Sequence, residues 1–177
     1  MKTKGRLKKF IYKYDKGAGP MSFEELEKEN FIEGNCRLAL QYYFYKERGL
    51  YLEPEKILLP EAYKNVGKFV FREEPINFSM LKRGDIIYAQ NLRNSKGELL
   101  NKDKEKFKDE DEWILYFHTA VFLGNLDEEL LALLPEGDYP KEVPLIWQSS
   151  IIEKGTCVWL LDKFLNFYKP VSVKRLD

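Results

Sequence analysis

The segment Cys36-Arg37-Leu38-Ala39-Leu40-Gln41-Tyr42-Tyr43-Phe44-Tyr45-Lys46-Glu47-Arg48 constrains this chain more than any other. Asn35 stands before it, with a short polar side chain suited to capping a helix N-terminus. Gly49 follows, suited to the left-handed residue that ends a helix. Between these signals, apolar or aromatic residues fall on nearly every side of the predicted helix. A helix of that kind belongs at the centre of a fold, because a surface helix keeps a polar face. At 177 residues the chain is long enough to enclose it within one domain.

The covering elements follow from local pattern. Ser22-Phe23-Glu24-Glu25 reads as a capping box for a helix running to about residue 30. Residues 53–67 carry Pro54, Pro60 and Gly67 and predict a loop with a helical turn. Lys68-Phe69-Val70-Phe71 predicts a brief strand. Leu81-Lys82-Arg83-Gly84-Asp85 predicts a turn into the strand Ile86-Ile87-Tyr88-Ala89. Residues 91–111 are almost wholly polar and predict a long hairpin loop, a length associated with function or mobility. Residues 113–123 give the clearest strand pattern, with His118 in its middle. A short helix over 127–134, a strand over 145–149, helical spacing over 156–167 and a last strand over 170–173 complete the reading. The whole of 1–177 reads as a single domain, with a basic extension over 1–20.

Composition removes several classes of function. Twenty-nine basic residues balance 29 acidic ones, so no global field draws the protein to nucleic acid. The basic start (Lys2, Lys4, Arg6, Lys8, Lys9) is short and lacks interleaved aromatics, so it reads as a solvated terminus. No signal-peptide core follows it and no run of about 18 apolar residues occurs, so the expected location is cytoplasmic, with no transmembrane segment. Two cysteines and one histidine cannot make a four-ligand zinc site. No phosphate-binding glycine loop is present, and no cofactor or metal is expected.

The chemistry then rests on few residues. His118 is the only histidine, and imidazole is the side chain whose ordinary pKa suits proton transfer near neutrality. Cys36 falls in the first helical turn, where free amides and the helix dipole favour a thiolate. Gln148 lies on a later strand, where its amide oxygen could orient an imidazole, with Ser149 as the alternative on the opposite face. Arg37 could bind a substrate carboxylate. Cys157 reads as structural, and the aromatic run from Tyr42 to Tyr45 reads as core. Without its neighbours Cys36 would itself read as a small core residue.

The order of these motifs resembles the NlpC-type cell-wall peptidases, a bacterial branch of the papain-like superfamily. Asn35-Cys36-Arg37-Leu38-Ala39-Leu40-Gln41-Tyr42 is similar to the family's helix-opening cysteine motif. Leu81-Lys82-Arg83-Gly84-Asp85 is similar to its Leu-x-Pro-Gly-Asp turn. His118-Thr119-Ala120-Val121-Phe122-Leu123-Gly124 resembles His-Val-Gly-Ile-Tyr-Leu-Gly. Ile146-Trp147-Gln148-Ser149-Ser150 resembles Phe-Ile-His-Ala-Ser, with Gln148 at the third polar position. The resemblance spans roughly residues 22–176. It implies an α+β papain-like NlpC-type fold: a small antiparallel sheet packed against a central helix that starts at the cysteine.

It also implies a cysteine hydrolase, an amidase or peptidase with Cys36, His118 and Gln148 as catalytic residues, acting on a peptide or peptidoglycan-like substrate. Asn35 and Arg37 would then be substrate-binding. They stand where family members carry an aspartate and a serine, which implies a preference for neutral or acidic groups over a free amine. Two alternatives stay open: a catalytically idle relative that uses the cleft as a binding module, and a thiol-dependent acyltransferase using the same dyad. The residues leave the oligomeric state undetermined.

Overall fold

The structure, a computed structural model, describes residues 5–13, 23, 27–28, 32–52, 67–72, 75–94, 96–99 and 117–176. Most of the capping box at Ser22, of the 53–67 segment and of the polar loop lies outside them, as does the start of the strand expected from residue 113.

Within the described residues the elements are β1 (Phe10–Tyr12), β2 (Ile32–Gly34), α1 (Cys36–Arg48), β3 (Lys68–Phe71), β4 (Ile86–Asn91), β5 (Phe117–Gly124), α2 (Glu128–Leu133), β6 (Leu145–Ser150), β7 (Gly155–Leu160), α3 (Leu161–Phe167) and β8 (Tyr168–Arg175). All eight strands join one curled sheet in the order β2-β1-β7-β6-β5-β4-β8-β3. The sheet is mixed: β1 and β2 run parallel, with Phe10 opposite Ile32, and the other pairs are antiparallel.

This architecture corrects the expected α+β papain-like NlpC-type fold. The sheet is neither small nor wholly antiparallel, and the described residues contain three short α-helices beside eight strands. Much of the difference arises at 156–160, expected as the first part of a helix over 156–167 and found in strand β7. Thr156, Val158 and Trp159 suit a pleated surface, and β7 pairs along its full length with β6, Gln148 opposite Cys157. Two three-residue strands near the N-terminus, β1 and β2, widen the sheet further.

Side chains alternate along the central strands between two apolar clusters. Ile86, Tyr88, Val121, Leu123, Leu145 and Trp147 pack with α1. Ile87, Ala89, Ala120, Phe122 and Ile146 pack with Phe164 of α3 and with Tyr168 and Val173 of β8. Because both faces are covered, β4 reads as a continuous apolar run, and Ile86 through Ala89 are fully buried.

Helix α1 lies where its composition requires. Leu38 to Phe44 are all buried, the aromatic residues Tyr42, Tyr43 and Phe44 among them. Gly49 adopts φ 64°, and its N–H returns to the carbonyls of Phe44 and Tyr45, closing the C-terminus. The turn before β4 is tied down by Asp85, which is fully buried. Its carboxylate accepts the Lys82 amide at 2.8 Å and a two-pronged pair from Arg175 of β8, both contacts at 2.7 Å.

Candidate active site

Strand β2 runs straight into the start of α1. Asn35 caps the helix: its Oδ1 accepts the amides of Arg37 at 3.0 Å and Leu38 at 3.3 Å. Its carbonyl takes the Ala39 amide at 3.1 Å. Cys36 is thus the first helical residue, and among the described residues its own N–H is the first-turn amide left uncommitted. Two bonds from β6 fasten this turn to the sheet. Ser149 Oγ donates to the Gly34 carbonyl at 3.0 Å, and Trp147 Nε1 donates to the Ala39 carbonyl at 3.2 Å.

His118 and Gln148 come from the adjacent strands β5 and β6. Both are buried, and His118 Nε2 lies 2.6 Å from Gln148 Oε1. An amide oxygen only accepts, so Nε2 carries the proton and Nδ1 is left as the basic nitrogen. The other end of Gln148 fixes that orientation, since its Nε2 donates to the Cys157 sulfur at 3.7 Å. The imidazole also lies flat on Tyr168 of β8, ring centres 4.1 Å apart and planes 12° from parallel. The Tyr168 hydroxyl shares a 2.9 Å hydrogen bond with Ser150.

The Cys36 sulfur lies beside the His118 ring and beside the backbone N–H and side chain of Thr119. Burial of the sulfur opposes ionisation. The hydrogen bond and charge of His118, with the two Thr119 groups, outweigh it and lower the thiol from an ordinary 9.0 to about 6. Cys157 behaves in the opposite way: burial dominates and pushes its thiol up to about 12, so it stays protonated. Burial likewise holds the Tyr168 phenol well above its ordinary range. The two free cysteines are therefore chemically distinct.

Cys36, His118 and Gln148 are brought together. Asn35 lies beneath the helix, buried, with its oxygen given to the cap. Arg37 is half-buried beside the cysteine, and among the described residues nothing pairs with its guanidinium. Ser149, the alternative to Gln148, faces the other way and holds the β2 end of the site. Sequence reasoning did not find Thr119, Tyr168 or the contact of Cys157 with Gln148. Thr119 left a trace, a hydroxyl where the resembled motif has valine. Tyr168 left none.

Among the described residues no group of three or more His, Cys, Asp or Glu is arranged to hold a metal ion, and no helix is long and apolar enough to cross a membrane. A comparison with family models, curated proteins and solved structures finds no match to this chain.

Proposed function

We propose that the protein is a cysteine hydrolase that cleaves an amide bond in a peptide or peptide-like substrate. The observation that carries this reading is the bond from His118 Nε2 to Gln148 Oε1, which leaves the basic face of the ring to a thiol at a helix start. The Cys36 thiolate attacks the carbonyl carbon, and the oxyanion draws on the uncommitted Cys36 N–H. The C–N bond breaks as His118 hands its proton to the leaving amine. A water molecule, deprotonated by His118, then attacks the thioester, releases the carboxylate product and restores the thiol–imidazole pair.

Arg37 supplies a positive charge beside the nucleophile, so a neutral or acidic substrate group is favoured there over a free amine. A thiolate nucleophile works where thiols stay reduced, and both cysteines are free, which suits the cytoplasm.

The test pairs thiol labelling with turnover. Iodoacetamide should label Cys36 far faster than Cys157 near neutrality. A panel of acetylated peptide p-nitroanilides should be hydrolysed by the unaltered protein and not by Cys36→Ala. Slow, equal labelling of the two cysteines, or turnover that survives Cys36→Ala, overturns the reading.

A further inference from the structure

Thr119 follows His118 on β5 and is 2% exposed. Its hydroxyl oxygen is buried and makes no well-aligned hydrogen bond, and the group it faces is the Cys36 sulfur. Its same-face neighbours Val121 and Trp147 belong to the apolar cluster around α1, and no hydrogen bond joins its hydroxyl to Tyr88, which stands opposite it on β4. A buried hydroxyl without a partner is costly, and valine would fill the same space without that cost. The hydroxyl has a proton to give, and a thiolate is a group able only to accept it.

We infer that the Thr119 hydroxyl donates a hydrogen bond to the Cys36 thiolate and, with the Thr119 N–H, forms a second support for the nucleophile's charge beside His118. The inference rests on the hydrolase reading and names a further residue of that same site. No bond is made or broken: the hydroxyl keeps its proton throughout. As the sulfur becomes a neutral thioester the bond weakens, and it strengthens again when the thiolate returns as leaving group.

The titratable groups near the sulfur are His118 from β5, Tyr168 from β8, Tyr88 from β4 opposite Thr119 and, beyond Gln148, Cys157 from β7. Burial keeps Tyr168 and Cys157 protonated near neutrality, and Arg37 on the same helical turn carries a constant charge. Comparing a variant that loses the Thr119 hydroxyl with one that keeps it isolates that group from these neighbours.

The experiment measures iodoacetamide alkylation of Cys36 against pH in the full chain, with Cys157 as internal control. Thr119→Val should raise the midpoint of the profile by about one pH unit, the scale of one hydrogen bond to a charged group. Thr119→Ser, which keeps the hydroxyl, should stay with the unaltered protein. If Thr119→Val leaves the midpoint unmoved, or if both variants move it equally, the inference fails and the hydrolase reading stands. If Cys36 of the unaltered protein titrates as an ordinary thiol, the hydrolase reading falls and this inference with it.

Discussion

His118 is held by three groups of different kinds: an amide oxygen at Nε2, a phenol ring on its face and a thiol at its remaining edge. Each restricts a separate motion, so their losses should differ. On the hydrolase reading, His118→Ala removes the base and should lower turnover by about 10²–10⁴-fold. Tyr168→Leu leaves the base but frees the ring to tilt. It should lower the alkylation rate of Cys36 near neutrality, whereas Tyr168→Phe, which keeps the ring, should stay close to the unaltered protein. A Leu variant that alkylates normally would show that the stack has no part in orienting the imidazole.

The same sulfur bears on stability. Folded, the Cys36 thiol ionises near pH 6, against an ordinary value of 9.0, so between these values the unfolded chain holds the extra proton. The stability from this group is complete above about pH 9, declines as the pH falls and is gone below about 6. The difference in Tm between the protein and Cys36→Ser should therefore grow from acid toward alkaline pH. A difference that stays flat would contradict the lowered thiol pKa.

At the scale of elements, the start of α1 sets where Cys36 stands. Asn35→Ala should cost about 1 kcal/mol in urea unfolding, the usual loss for a removed cap, and should slow Cys36 alkylation because the first turn frays. Asn35→Asp, which can still cap, should do neither. The turn at Asp85 bears more. Asp85→Ala leaves Arg175 without its partner and the Lys82 amide unsatisfied, and should cost about 2–3 kcal/mol, less than a fully buried pair because Arg175 is one-third exposed.

Some of this was legible in the sequence because its chemistry is local. A cap needs only Asn35 and the amides after it, and a C-terminal stop needs only Gly49, so α1 was read with both its ends. The choice between Gln148 and Ser149 depends on which face of β6 meets β5's histidine, and no single strand carries that information. The boundary between β7 and α3 was hidden for another reason. Leu160 passes directly to Leu161 with no side-chain cap, so a strand and a helix share one apolar stretch that mimics helical spacing. The strands β1 and β2 are three residues each, below the length at which alternation becomes a pattern.

At the scale of the molecule, the site depends on how the sheet is closed at its β2 edge. Gly155 of β7 lies so near β1 that a Cβ there would stand 1.9 Å from the Phe10 carbonyl oxygen. That contact is backbone and cannot swing aside. Gly155→Ala should cost about 1–3 kcal/mol by overpacking. It should also suppress the selective labelling of Cys36, since β2 pairs with β1 and leads into α1. Labelling that persists unchanged would show that Cys36 is positioned by the Ser149 and Trp147 bonds alone.

The groups gathered about Cys36 are drawn from α1, then β5 and β6, then β7 and β8, in that order along the chain. A ribosome making this protein exposes Cys36 long before Gln148 and Tyr168 have been translated. Until then the thiol has neither an oriented base nor a fixed ring beside it, and it behaves as an ordinary cysteine. On the hydrolase reading, selective labelling of Cys36 should therefore appear only once β6 and β8 have been made and have docked.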